Sequence, residues 1–505
     1  MNVEKIAIKS AKQPVSLSGQ QNIETDIILP DYYDNISKIL KCTIKPFVEA
    51  VTSTDDRISI AGSVTLSLLY SGEDKKLYHY ENEIKYTKIL NNQGYKIGDN
   101  ITAEQHVSSC SYRAVGPKRV DLKGVIQIYA KIYEHIDADI ITSIESEYVH
   151  ARSSSLKINM TNGLFNRDFT VSDEFKLNSE HGKIRTVIRK DCKISINEKK
   201  TIVNKIFIKG TCKMFVIYIT EETNAVNNLS YEVPFSEVVD AYGVEENDEI
   251  EIYNIQTNVS VNIKNQDSDT PILDTSIDIS LCISAAREQT IDYIDDVYSS
   301  MNEISATFND IDLENNFMKK TMNMDVSFEA DSFIDDDYSI CDSYIDDIKL
   351  SSEIKENKMY LLINANYNAL IKLSDGTFSL ITRNFTAERE FISAEITDRP
   401  KNMSYDMLSV SALRMNDGKI RFMSDYFIET AICSSCKIKA LTALTESENP
   451  QRNFNNGIIL YYAQKGEDLW SIAKENRTTV ETIKASNEIA DDSLTESRLL
   501  VFPNY

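Results

Sequence analysis

The reactive side chains closest in sequence are Cys433 and Cys436, in the run CSSC. Two thiolates at that spacing can hold a zinc ion or cycle as a dithiol. Zinc wants a second pair of ligands, and the chain has no second such pair. A redox pair wants a helix after its first cysteine, whereas the flanks here read as strand. The remaining cysteines, Cys42, Cys110, Cys192, Cys212, Cys282 and Cys341, mostly lie in strand-like runs such as GTCKMFVIYI and read as small buried hydrophobes. The acidic run DSFIDDDYSICDSYIDD places seven aspartates between Asp331 and Asp347. A calcium loop needs oxygen ligands at alternating positions, a glycine at the sixth and a glutamate at the twelfth. Here Asp335, Asp336 and Asp337 are consecutive and no glycine follows. The favoured reading is a solvated acidic edge that could dock a basic partner. The five histidines form no metal-binding helix pattern, and neither a nucleophile elbow nor a phosphate loop occurs. The expectation is no catalytic residue, no metal and no cofactor, with binding or scaffolding as the work of the chain.

One further residue could carry recognition. Trp470 is the single tryptophan, in the C-terminal stretch YYAQKGEDLWSIAKENRTTVETIKASNEI. IILYYA, from Ile458, predicts a short strand, and Gly466 predicts a turn. Asp468 is placed to cap a helix LWSIAKEN whose buried face is Leu469, Ile472 and Ala473, at spacings of three and four. Thr479 caps a second helix that buries Val480 and Ile483. RLLVFP returns as a strand, so the order is β-α-α-β. Trp470 follows Leu469 and points about 100° off the buried stripe. It is therefore either a plug against other strands or an exposed hot spot, and the hot spot is favoured.

These residues need a scaffold. RISIAGSVTLSLLYSG alternates apolar and polar side chains, as a half-buried strand does. KIFIKGTCKMFVIYIT repeats its layout, with Gly62 aligned to Gly210 and Tyr70 to Tyr218. In a third copy, starting at Met359, Ala365 stands where the glycine was and Leu373 where the tyrosine was. Each copy is followed by further strands. The expected fold is mainly β: three tandem sandwich-like domains at 20–150, 175–300 and 320–445, a linker at 446–457, and a small α+β domain at 458–503. A helix is expected near residues 293–309 and a linker at 315–325. Residues 445–457 read as a tether.

Bulk properties narrow the partners. The chain has 54 basic and 78 acidic side chains, a net charge of −24. Nucleic acid and anionic membrane surfaces want a basic footprint, so neither is expected as a partner. No run of about 18 apolar residues predicts a membrane span. The N-terminal stretch lacks the apolar core of a secretory signal, so a cytoplasmic location is expected.

With Y-x-x-Q-K-G-E-D-L-W-S-I-A at its head, N-E-I after the second helix and L-L-V-F-P at its end, the stretch 458–503 resembles a LysM domain. That resemblance implies a groove for N-acetylglucosamine polymers, formed by Gly466, Glu467, Asp468 and Leu469 facing Asn487, Glu488, Ile489 and Ala490. Ser497 replaces the glycine usual before the last strand. The tandem β-domains, with their I-x-I-x-G…L-x-Y strands, resemble the SPOCS (spore-coat-associated) family of endospore-forming Firmicutes. The pair of resemblances implies a spore-coat morphogenetic scaffold in the mother-cell cytoplasm, recruited to the forespore surface. Its implied partners are the coat's basement-layer ATPase, held through the LysM with Trp470 in the contact, and other coat proteins. The alternative is a binder of cell-wall glycan of the peptidoglycan or chitin type.

Overall fold

The computed structural model describes residues 1–504 apart from 12–14, 55, 92–100, 133–134, 267–269, 335–336, 357, 393–399, 451–456 and 493. The chain is mainly β. Alternation decides the strands: along Arg57–Gly72, Ile58, Ile60, Val64, Leu66 and Leu68 are buried, while Ser59, Thr65 and Ser67 stay partly exposed.

The first unit runs β1 (Asn2–Ala11), β2 (Val15–Ile28), β3 (Ile36–Thr54), β4 (Arg57–Gly72), β5 (Leu77–Asn91), β6 (Ile101–Gly116), β7 (Arg119–Ile132) and β8 (His135–Glu145). The second runs β9 (Val149–Lys176), β10 (Ile184–Ile202), β11 (Lys205–Thr220), β12 (Val226–Asp240), β13 (Glu249–Lys264) and β14 (Ile272–Ser299). The third runs β15 (Asn302–Asp331), β16 (Tyr338–Lys355), β17 (Lys358–Leu373), β18 (Phe378–Ile392), β19 (Pro400–Arg414) and β20 (Lys419–Pro450). Each unit packs a meander of three antiparallel strands (β3-β4-β5, β10-β11-β12, β16-β17-β18) on a second sheet (β2-β7-β6, β9-β14-β13, β15-β20-β19). Each sandwich has its own core, for example Ile60 and Leu66 with Leu122 and Ile126 in the first.

Three antiparallel ribbons extend beyond the sandwiches. They are β1 with β8, 149–161 of β9 with 286–299 of β14, and 302–315 of β15 with 434–450 of β20. The ribbons pack together into a hub around Ile8, Ile140, Ile158, Ile291, Ile311 and Ile438. This corrects two expectations. Residues 293–309 are not helical but form the end of β14 and the start of β15. Ile291 is buried in the hub and Ile294 in a separate cluster on the other face of the ribbon, and a bulge between Ile294 and Asp296 puts Val297 on the side of Ile294, so the three buried residues mimic a helix-like spacing of three. Nor are residues 315–325 a linker, since they lie within β15, where a register shift between Asn315 and Met318 breaks the pattern. Of the expected tether, residues 445–450 belong to β20, and 451–456 lie outside the described residues.

The three meanders also meet each other. In β3, β10 and β16 a bulge turns Leu40, Ile188 and Cys341 out of their own sandwiches, into a shared apolar cluster with Leu69, Ile217 and Leu370. Charges close the seams. Arg189 donates from Nε and Nη2 to both oxygens of Asp342, each at 3.0 Å. Lys41 pairs with Asp346 and donates to Asn368 Oδ1 at 2.9 Å, and Lys190 pairs with Glu81 at 2.5 Å. Lys41 and Arg189 both lie over the ring of Tyr344, at 5.1 and 4.8 Å. The acidic run is therefore not simply a solvated edge, because its Asp342 and Asp346 supply the counter-charges of two seams.

The third meander corrects the alignment. Leu373 N–H bonds Thr377 C=O at the turn, as Gly72 N–H bonds Lys76 C=O and Thr220 N–H bonds Ala225 C=O. Leu373 thus stands where Gly72 does, and Ile371 takes the place of Tyr70. Ala365 still faces an aromatic ring, Phe385, as Gly62 faces Tyr86 and Gly210 faces Phe235. The stretch from that position to the turn is therefore two residues shorter. A shift of two keeps every side chain on its own face, so alternation could not reveal it.

Candidate partner-binding site

The C-terminal module consists of β21 (Gly457–Ala463), α1 (Leu469–Asn476), α2 (Val480–Asn487) and β22 (Arg498–Asn504), with β21 antiparallel to β22. Both caps form as the residue types require. Asp468 Oδ1 accepts from Trp470 N–H at 3.2 Å, and Thr479 Oγ1 accepts from Thr482 N–H at 2.9 Å. Gly466 has φ +89°, which suits a residue without Cβ. Leu469, Ile472, Ala473 and Ile483 form the core with Leu500 and Phe502.

The residues expected to line a groove divide into four kinds. Gly466, Glu467 and Asp468 lie on a turn strapped to the loop before β22. Gly466 N–H bonds Leu494 C=O at 2.9 Å, Leu494 N–H bonds Glu467 C=O at 3.3 Å, and Leu469 N–H bonds Asp492 C=O at 3.1 Å. Ser497, in the place of the usual glycine, accepts from Lys465 N–H at 3.0 Å and tightens the same strap. Leu469 is wholly buried, and Ile489 packs against the same core. Asn487 is committed to the fold: its Oδ1 accepts from Val501 N–H at 2.7 Å, and its Nδ2 donates to Val501 C=O and Ile483 C=O. Glu488 and Ala490 are exposed beside it. Asn487→Ala is expected to cost about 1–3 kcal/mol, because it leaves backbone groups of β22 without partners. The check is the denaturation midpoint reported by Trp470 emission.

Trp470 points off the core stripe, as its position predicts, but it meets the body. Its indole N–H donates to Asp296 Oδ2 at 2.8 Å, and its ring lies edge-to-face on Tyr298 with centroids 4.9 Å apart. Arg152 lies 5.9 Å from the ring centroid. Lys474 pairs with Asp296 Oδ1 at 2.5 Å, and the Tyr298 hydroxyl donates to Thr478 C=O at 2.8 Å. Helix α1 is thereby docked on the tip of the β9–β14 ribbon.

The family model described as SipL, SPOCS domain matches residues 35–115 and 183–264, and the LysM domain model matches 461–503. The chain carries two SPOCS segments and a C-terminal LysM domain. Each SPOCS segment spans a meander and the following strand, β3–β6 and β10–β13; the ribbons of the hub lie outside both. The third sandwich, which repeats the strand order, lies outside these matched residues. No curated protein and no solved structure matches the chain. SPOCS with LysM fits a spore-coat-related protein built from domain families that are not catalytic. Among the described residues, no helix is long and apolar enough to cross a membrane, and no three His, Cys, Asp or Glu side chains come together to hold a metal ion.

The LysM has one surface that the sequence reading missed. The outer face of its sheet is made of Ile458, Leu460, Tyr462, Leu499, Val501 and Pro503, and the first four are more than half exposed. The signal was present: a strand with helices on one side and water on the other should alternate, and neither IILYY nor RLLVFP does.

Docking of the LysM carries a pH dependence. Burial holds the His150 imidazole, beside Tyr298 and Ser300 and facing Glu481, below its ordinary 6.5. Burial raises the Asp296 carboxyl, but the bonds from Lys474 and Trp470 more than offset it and hold its pKa below 3.8. Both groups have depressed values, so each contributes stability above its unfolded pKa that is lost as pH falls. The docked form is expected to weaken as pH drops below about 6.5 through His150, and again in the carboxylate range through Asp296. Trp470 emission should shift to the red over those windows, and an emission unchanged from pH 8 to pH 3 would contradict the assignment.

Proposed function

We propose that this chain is a non-enzymatic morphogenetic scaffold of the spore coat. It acts in the mother-cell cytoplasm at the forespore surface, with its three sandwiches as domains. It binds the coat's basement-layer ATPase through the LysM and helps drive coat assembly. The observation that carries the reading is the joining of two SPOCS segments and a LysM in one chain. The net charge of −24 also favours a protein partner over nucleic acid or an anionic membrane.

Trp470 is the residue assigned to that contact, with the turn Gly466, Glu467 and Asp468 and with Glu488 beside it. Leu469, Asn487 and Ile489 support these residues from the core. The full chain titrated with the ATPase of its own organism is expected to bind, and Trp470→Ala to weaken binding about thirtyfold, as loss of a tryptophan hot spot worth about 2 kcal/mol does. The LysM match favours a second reading, a peptidoglycan-type glycan as ligand. Retention on chitin or peptidoglycan without ATPase binding would establish that reading instead.

A further inference from the structure

A tryptophan assigned to a partner is, in this structure, already engaged. Arg152 from β9 and Asp296 and Tyr298 from β14 hold the LysM. Asp296 takes two charge-assisted or polar bonds at once, from the Trp470 indole N–H and the Lys474 ammonium. Arg152 is aimed by Asp295 at 2.7 Å and lies 3.9 Å from Asp468, the cap of α1. Tyr298 covers the edge of the indole and ties its hydroxyl to the backbone between the two helices. The surface this contact covers is that of α1, next to the turn of Gly466, Glu467 and Asp468.

We infer that the docked LysM is a closed form, in which Tyr298 and Asp296 occupy Trp470 and withhold it from the partner. The inference rests on the reading of Trp470 as the partner-binding residue. Apart from the buried Tyr298 ring, the contact is made of hydrogen bonds and ion pairs, and polar contacts between domains of one chain permit their relative motion. A partner that uses Trp470 has to displace Asp296 and Tyr298 first. Its apparent affinity is then the intrinsic affinity reduced by the fraction of chains in the open form. Contacts among Arg152, Asp296 and Lys474 are ionic, so acid or high salt opens the form and raises that fraction.

The test uses the full chain and the single tryptophan as its own reporter. Wild type is compared with Asp296→Ala/Tyr298→Ala and with the milder Arg152→Ala/Asp296→Asn, all checked for unchanged far-ultraviolet circular dichroism. Iodide quenching of Trp470 reads docking directly, and titration with the basement-layer ATPase reads binding. Wild type is expected to be protected from iodide, and both body variants to be quenched freely and to bind the ATPase about tenfold more tightly. Equal affinity for wild type and variants would overturn the closed form and leave the ATPase reading standing. So would Trp470 already open to iodide in wild type. Absence of ATPase binding by the wild type and by both opened variants would overturn the ATPase reading, and the closed form as its regulator with it.

Discussion

Arg189→Ala lowers the unfolding free energy of the body by about 3–5 kcal/mol, the cost of breaking a buried ion pair from one side. The reason lies in what the deletion leaves behind. Asp342 is only 10% exposed and takes both its hydrogen bonds from this one guanidinium. Without Arg189 its carboxylate stays in the seam between the second and third sandwiches with no donor to replace two charge-assisted bonds. Tyr344 loses one of the two cations over its ring. Removing both charges together, as Arg189→Met/Asp342→Leu, should recover most of the loss, because no unpaired charge then remains buried. Arg421→Ala is the control. Its partner Glu329 is on the open surface, both side chains about 40% exposed, and the cost is expected below about 1 kcal/mol. Guanidinium midpoints of the three variants beside the wild type decide the matter. Equal midpoints for Arg189→Ala and Arg421→Ala would refute the buried-seam account.

Gly210→Val is the second large effect, expected at about 3 kcal/mol, with Gly210→Ala at about 1–2. A Cβ at Gly210 would lie 2.6 Å from the Ser195 carbonyl oxygen and 2.4 Å from Cζ of Phe235. The carbonyl belongs to the neighbouring strand and cannot turn aside, so β10 and β11 would have to separate. Gly62 repeats the arrangement, with the Phe47 carbonyl oxygen and the Tyr86 hydroxyl each 2.7 Å from its would-be Cβ. In both meanders the aromatic ring directly across the strand covers the glycine. The third meander solves the same place differently. Ala365 carries a real Cβ opposite Phe385, whose ring is stacked on Phe328 at 4.1 Å. Ala365→Gly should therefore lose about 0.5–1 kcal/mol, so that glycine destabilises there while alanine destabilises at the aligned position of the second meander. A preference for the same residue at both positions, glycine at both or alanine at both, would refute this packing account.

Much of the architecture was legible. The β class, the Gly62–Tyr70 and Gly210–Tyr218 repeat, and the LysM with its caps at Asp468 and Thr479 all follow from local pattern. Each of those features depends on residues within a turn or a few strand positions of one another. Asn487 was readable as a family position but not as a strand pin, because its partner Val501 lies in the next element.

By itself, the sequence determined which side of each strand faces its own sheet partner, and which residues begin and bury the two helices. Tertiary structure alone decided what the other sides meet. Residues 293–309 looked like a helix and 315–325 like a linker because the alternation breaks near the tip of one ribbon and where another joins its sandwich. Asp342 and Asp346 looked solvated because Arg189 and Lys41 stand on other sandwiches, far away in the chain. Trp470 was correctly placed off its helix core, yet only the packed molecule put Asp296 and Tyr298 in front of it. The physical reason is common to all three. Side-chain periodicity records burial against the nearest layer, whereas contacts between distant segments depend on how whole sheets are oriented, and no local spacing encodes that.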